Sequence, residues 1–261
     1  MPLPAGVYRA DHVGSLLRTE PIKSARSQAA TSALSASSLR AIEDVEIQDT
    51  LIPHELAAGL RSVTDGEFRR AYFHLDFLQR LGGVEVRGHI ASSGAIADGW
   101  SPPRLVVTGP LRHWQDVQVE DFVFLKGALE RALEKLEGGS GSGGKKLLAT
   151  PKVCIPSPTM VHFRGGRASI DIEAYPDMDV FFEDLARVYQ EELDALYKAG
   201  ARFVQLDDTN LAYLCDEKMR QAAIDRNDDP NELPKKYAVS TKALARQSTR
   251  FPVLTLKKGP H

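Results

Sequence analysis

The sequence predicts an α/β fold built on parallel strands, and three observations carry that prediction. Short apolar segments rich in β-branched residues recur along the chain and end in Gly or polar residues. Amphipathic stretches separate them, most clearly at 178–199, where Phe181, Leu185, Val188, Leu193 and Leu196 recur at helical spacing before Gly200. Strands alternating with helices read as βαβ units. No GxGxxG follows the first strand, which removes support for a dinucleotide fold. A doubly wound sheet and an eight-stranded barrel both remain open at this point, and both place ligands at the carboxyl ends of the strands.

In chain order, Val7–Ser15 reads as a first strand ending near Gly14, and Ser24–Ser38 as a loop or weak helix. The run from Ser38 to Gly59 reads as a helix that Pro53 breaks or kinks. Arg61–Glu67 is a second strand, and Phe68–Leu81 is helical or loop-like. Residues 82–97 alternate around Gly turns, which predicts a β-hairpin excursion. Arg104–Pro110 is a third core strand and 117–137 a helix with Phe122, Leu125, Leu129, Leu133 and Leu136 on one side. GGSGSGG at 138–144 is a flexible surface loop inside a single domain over 1–261. Lys152–Pro158, Arg202–Asp208 and Phe251–Leu256 supply strands four to six, with a polar, partly helical 217–249 before the last.

Composition narrows the function. The 261 residues carry 33 Lys+Arg against 35 Asp+Glu, a net charge of −2. That balance lacks the basic excess of a nucleic-acid binder. No run approaches the roughly 18 apolar residues of a membrane span, and the N-terminus lacks a basic region followed by an apolar one. Two cysteines, Cys154 and Cys215, lie outside any CxxC pair, which predicts a reducing, cytoplasmic setting.

The chemistry gathers at the strand ends: Gly14-Ser15, Asp65-Gly66-Glu67, Thr108-Gly109-Pro110, Ser157-Pro158 and Asp207-Asp208. Parallel strands would bring all five to one face. Gly14 and Gly109 would admit a ligand to the backbone, and Glu67 and Asp207 would face each other across the mouth. A carboxylate pair suits an ammonium, the backbone at Gly14 and Ser15 suits a carboxylate, and an acid of raised pKa could move protons. Plainer readings compete: turns at the glycines, a helix cap at Asp207-Asp208, a surface pair for Glu67. Arg18, Arg69 and Arg70 could draw an anionic second substrate or be solvated. His12, beside Gly14, is a pocket candidate, while His74 among aromatics reads as packed. Cys154 reads as a buried small hydrophobe.

These motifs, ADHVGSLLR (10–18), SVTDGEFRR (62–70), SPPRLVVTGPLR (101–112), KVCIPSPT (152–159) and AGARFVQLDDTNLAYLCD (199–216), resemble the catalytic barrel of cobalamin-independent methionine synthases, particularly the stand-alone single-barrel branch. The resemblance implies a (β/α)8 barrel and methyl transfer from 5-methyltetrahydrofolate, or its polyglutamate, to the thiol of homocysteine. It implies substrate binding by Val13, Gly14, Ser15, Glu67 and Asp207, with Glu67 and Asp207 as the catalytic acids and His12, Arg18 and Asp208 nearby. Relatives often carry Glu-Pro after the strand-five Asp, where this chain has Asp208-Thr209.

The family also implies a catalytic zinc, which lowers the pKa of a bound thiol. Its ligands are a His-x-Cys after strand six, a Glu after strand seven and a Cys after strand eight. His261 falls near the family histidine, and the remaining ligands have no counterpart. At about 44 residues per unit an eight-unit barrel needs roughly 350 residues, so the expectation is a barrel of about six units, truncated at its C-terminal side. Two further readings stand beside methyl transfer: a non-catalytic remnant or pseudoenzyme, and another thiol alkyl transfer on the same scaffold. A uroporphyrinogen-type decarboxylase would need an Arg cluster that the sequence does not display. The expected partners are small molecules, with no nucleic acid and no membrane, and the oligomeric state is open.

Overall fold

A computed structural model describes residues 12–89, 103–139, 148–238 and 253–258. The N-terminal part is helical. α1 (Glu20–Ala30) starts at a Pro in its first turn and buries Ile22 and Ala25, so most of the Ala/Ser stretch is a true helix. Ser35 caps α2 (Ala36–Val45) by accepting from Ser38 N. A π-turn over Glu46–Leu51 leads directly into α3 (Ile52–Ala57). Pro53 was expected to break this run. The chain instead widens just before it: Ile52 N–H donates to Ile47 O, one residue further back than in an α-turn.

After β1 (Ser62–Val63) and α4 (Leu75–Leu78) come β2 (Gly82–His89) and β3 (Pro103–Arg112). α5 (Val119–Gly139) leads to β4 (Thr150–Pro156), and α6 (Met160–Phe163) and a 3-10 turn lead to α7 (Met178–Ala199). Then follow β5 (Phe203–Asp208), α8 (Asn210–Tyr213), α9 (Glu217–Asp225), a helical segment at 233–238 and β6 (Val253–Lys258). α7 has clear ends. Asp177 accepts from Asp179 N at 2.8 Å, and Gly200 closes it at φ +106°, where any other residue would be strained.

β1, β4, β5 and β6 form one parallel sheet in that order. Among the described residues it is an open sheet, not a closed barrel. β4 and β5 pair from Lys152↔Phe203 to Pro156↔Asp207. β5 is buried at every position, as a strand covered on both faces should be.

Three expectations are corrected. Residues 12–14 are irregular rather than strand, and 7–11 lie outside the described residues. Arg104–Pro110 is not a strand of the parallel sheet: β3 pairs antiparallel with β2 in a separate two-stranded ribbon. The hairpin excursion is therefore larger than 82–97, because β2 takes its partner from 103–112. Six parallel units consequently reduce to four parallel strands among the described residues. α5 runs on to Gly139 into the Gly/Ser connector, whose remainder lies outside the described residues, as does His261.

Two apolar clusters hold these layers. The larger packs α7 (Phe181, Leu185, Val188, Leu193) against Val204 and Leu206 of the sheet and Leu105 and Val107 of the ribbon. Burying each such side chain contributes about 1.5–3 kcal/mol. The smaller joins Ile22, Ile47, Leu51, Ile52 and Leu56 of the N-terminal helices to Leu125 and Leu129 of α5. Tyr175 pins the ribbon to α7: its hydroxyl accepts from Leu111 N at 2.6 Å and donates to Asp184 Oδ2 at 2.8 Å.

Candidate functional site

The carboxyl ends of β1, β4 and β5 lie side by side, so the segments leaving them share one mouth. Alternate residues of a strand share a face. On β4 these are Lys152 and Cys154, and on β5 Gln205 and Asp207, with Cys154 opposite Gln205 and Pro156 opposite Asp207. The 12–18 segment crosses this face. Val13 O accepts from Cys154 Sγ at 2.8 Å and from Gln205 Nε2 at 2.9 Å. Lys152 Nζ donates to His12 O and, at 3.3 Å, to Gln205 Oε1. Gln205 Nε2 also donates to Asp207 Oδ1 at 2.5 Å.

Gly14 makes this crossing possible. Its φ is +122°, and a Cβ there would stand 2.5 Å from Cys154 Sγ and 3.5 Å from Glu67 Oε1. Thr64, just past β1, holds it from below: the hydroxyl donates to Gly14 O at 2.9 Å and accepts from Gly66 N at 3.1 Å. Thr64 N–H in turn donates to Glu55 Oε1 at 3.3 Å. Glu55 is 3% exposed, and its Oε2 has no hydrogen bond. Burial pushes its carboxyl up to about 8, opposed by the Thr64 bonds. His12 Nε2 lies 3.3 Å from Glu55 Oε1 and 3.0 Å from Ser62 O, so His12 faces the support rather than the opening.

Glu67 stands at φ +56°, a left-handed conformation that few non-glycine residues adopt. Its N–H donates to Asp65 Oδ1 at 2.9 Å, and its carboxylate is paired with the Arg70 guanidinium. Both Glu67 and Asp207 are buried. Burial lowers Arg70 to about 10, and Asp207 is the foremost charge working against that, which places the two within electrostatic reach. Asp65, Glu67, Arg70, Phe73, Lys152 and Cys154 line the cleft.

The three arginines separate by what they touch. Arg18 donates to Phe68 O at 3.3 Å, Glu67 O at 3.2 Å and Arg70 O, clamping the loop that carries Glu67. Arg69 lies 2.5 Å from Asp44, 3.6 Å from Asp65 and 3.7 Å from Asp121, and stacks over Phe124. Burial raises Asp65 to about 6 despite Arg69. Of the three, Arg70 pairs with Glu67, whereas Arg69 reaches the mouth only through Asp65.

Of the other predicted residues, Val13 directs its carbonyl inward and leaves its side chain half exposed, and Ser15 is exposed beside Gly14. Asp208 accepts from Asn210 N at 3.1 Å, the helix-cap role, while Asp207 shares the register of Gln205, whose Nε2 donates to it. Thr108-Gly109-Pro110 does not reach the mouth. It lies within β3, where Thr108 Oγ1 donates to Glu85 Oε1 at 3.1 Å and a Cβ on Gly109 would meet open space. Glu55, Thr64, Lys152 and Gln205 were not singled out from the sequence. The available signal was a polar residue on the inward register of an otherwise apolar strand, as at Lys152 and Gln205.

No family model matches the chain. Two curated Bacillus subtilis proteins, uncharacterized YxjH and YxjG, are each 36% identical to it over 88% and 89% of its length. The chain spans about half the length of these relatives, 56% of each. A solved Listeria monocytogenes protein, named provisionally as a vitamin-B12-independent methionine synthase, is 34% identical and superposes with a TM-score of 0.71 over 95% of this chain and 64% of its own. A Shewanella B12-independent methionine synthase, solved with selenomethionine, reaches a TM-score of 0.50 at 20% identity over 73% of this chain and 48% of its own, a likeness of fold alone. Both structural neighbours carry the methionine synthase name.

The zinc expected from that family does not fit the described residues. Cys154 is the thiol in the mouth. Burial, foremost, raises its pKa far above the usual thiol range, its Sγ–H is engaged with Val13 O, and no described His, Cys, Asp or Glu pair joins it in a metal-ligand group. Elsewhere His113, Asp116 and Glu192 bring three ligand atoms within 4.8 Å of one another. Glu192 is already committed there. Oε2 accepts from Val117 N at 2.9 Å and lies 2.6 Å from His113 Nε2, and Oε1 accepts from Gln118 N at 2.8 Å. This carboxylate fastens the ribbon-to-α5 connection onto α7. Among the described residues no helix is long and apolar enough to cross a membrane.

Proposed function

We propose that the chain is a member of the B12-independent methionine synthase family, with its parallel sheet an arc of a (β/α)8-type scaffold, and that its mouth binds homocysteine or a close thiol amino acid. The observation that carries this is the meeting of two buried carboxylates, Glu67 and Asp207, with the main-chain turn at Gly14-Ser15. An ammonium seated by the two acids makes charge-assisted hydrogen bonds, and the exposed turn at Ser15 offers N–H groups to the amino acid's carboxylate. The proposed reaction moves a methyl group from a methylated folate to the substrate sulfur: the S–CH3 bond forms as the N–CH3 bond breaks, and the proton lost by the thiol is balanced by one taken up at the folate nitrogen. This chain's residues bind and orient. Thr64 and Glu55 hold the Gly14 turn, Arg18 holds the Glu67 loop, and Glu67 and Asp207 fix the ammonium so that the thiol is presented in one direction. The protonated Cys154 does not compete as a nucleophile.

Calorimetric titration with homocysteine tests the reading. Glu67→Gln and Asp207→Asn are each expected to weaken binding by about 2–3 kcal/mol, and unchanged affinity in both would overturn it. One observation favours amino-acid binding without turnover: the mouth supplies no zinc-ligand set among the described residues. Assaying methyl transfer by the purified chain with and without added zinc separates the two readings.

A further inference from the structure

We infer that Arg70 is the exchangeable counter-ion of this mouth: its guanidinium, paired with Glu67, gives way to the ammonium of an incoming amino acid and takes up that amino acid's carboxylate. The inference rests on the reading of the mouth as an amino-acid site and adds the residue that decides which thiols enter it.

Glu67 pairs with Arg70 and Asp207 acts on the same guanidinium, in a cleft that Asp65, Arg69 and Lys152 also line. A thiol bearing only an ammonium would take Glu67 from Arg70, whose side chain is 21% exposed, and leave the guanidinium only Asp207, the acid that the same ammonium draws on. An unpaired charge in that setting is costly. A zwitterion gives both members of the Glu67–Arg70 pair a new partner, because the displaced guanidinium finds the carboxylate that arrives with the ammonium. A guanidinium fork matches a carboxylate with two parallel hydrogen bonds, which a lysine cannot do.

Arg70 is also built to move where its neighbours are not. Arg18 is fixed by three main-chain carbonyls and Arg69 by three carboxylates, whereas among the described residues Arg70 has a single ion pair, to Glu67. Its main chain is held by Arg18 at the Arg70 carbonyl, so the side chain swings on a fixed base. Phe73, with its ring centre 5.7 Å from the guanidinium carbon, gives the arm an aromatic face to slide across.

The test compares homocysteine with 3-mercaptopropylamine, the same thiol and amine without the carboxylate, and with 4-mercaptobutyrate, which lacks the amine. Binding to the full chain is measured by calorimetry for the wild type, Arg70→Met, Arg70→Lys and Glu67→Gln, with a thermal melt of each to show that it folds. The wild type is expected to favour homocysteine over the amine by roughly tenfold to a hundredfold. Arg70→Met should remove most of that preference by weakening homocysteine while sparing the amine, leaving the share that the Ser15 turn supplies, and Arg70→Lys should restore part of it. Arg70→Met keeping the preference, or weakening both thiols alike, overturns the inference and leaves the amino-acid reading intact if Glu67→Gln still weakens homocysteine binding. A wild type that binds none of the three thiols overturns both.

Discussion

Replacing Glu55 by Gln should flatten the pH dependence of stability just above neutrality. The folded carboxyl sits at about 8 against an ordinary 4.5, because the side chain is 3% exposed. Between those values the folded protein keeps a proton that the unfolded chain has released, so this group's stabilising contribution is complete below about 4.5 and lost as pH rises through 8. Of the other strongly shifted groups, Asp65 is raised to about 6 and His74 and His162 are lowered to about 4, each by burial first, while Arg70, Cys154 and Tyr175 titrate above this window. The histidines act in the opposite sense, and their unfolded titration is largely finished by about pH 7. From pH 7 to 8 the Glu55 carboxyl falls from nearly full to half protonation, which integrates to about 1 kcal/mol of lost stability. The amide that Glu55→Gln introduces keeps the shape and an oxygen for Thr64 N but does not titrate. Urea unfolding at pH 7.0, 7.5 and 8.0 reads the difference: the gap between variant and wild type should shift by about 1 kcal/mol in the variant's favour. Parallel pH dependences for the two proteins would refute the burial argument.

Gly14→Ala should destabilise by about 1–3 kcal/mol in a thermal melt, since it combines a strained φ with a contact on Cys154 Sγ. Glu67→Gly relieves the left-handed φ but takes from Arg70 its ion-pair partner, so a melt should show a net loss of stability while calorimetry shows loss of homocysteine binding. Thr64→Val removes the bonds to Gly14 O and Gly66 N and should lose about 1–3 kcal/mol on chemical unfolding. Glu192→Ala should lose about 3–5 kcal/mol as buried N–H groups at 117 and 118 are orphaned. If the His113–Asp116–Glu192 group is a fastening rather than a metal site, zinc added to the wild type leaves its melting temperature unchanged.

What could be read from the sequence was whatever has a local cause. α7 was legible at both ends because Asp177, the apolar spacing and Gly200 all act within the helix itself. β4 and β5 were legible as short β-branched runs closed by Pro and Asp. β3 was misplaced because an apolar strand does not say which partner it takes. Its alternation, with Leu105, Val107 and Leu111 inward and their neighbours outward, is the mark of a half-exposed antiparallel strand, in contrast to the unbroken burial of β5. In the mouth, Glu67 and Asp207 announced themselves by following strands. Arg18 and Arg70 looked alike in sequence and differ only in what they meet, three carbonyls some fifty residues away in one case and a carboxylate in the other. Glu55 was hidden for a related reason: nothing on its own helix indicates that Thr64 and His12 will close over it.

The π-turn at Glu46–Leu51 works as a one-residue vernier between two halves of a single rod. Each residue of an α-helix advances the azimuth by about 100°. The extra residue therefore sets the bearing of α3 independently of α2, letting Ile47 and Leu51 point at α5 while Glu55, further along, points at Thr64. Removing one residue there would leave the rod helical and its composition almost unchanged, yet it would rotate Glu55 away from Thr64. A deletion distant from every binding residue would then loosen the turn on which Gly14 rests. The alignment of the mouth is thus held partly by a count of residues, and substitutions alone do not probe that count.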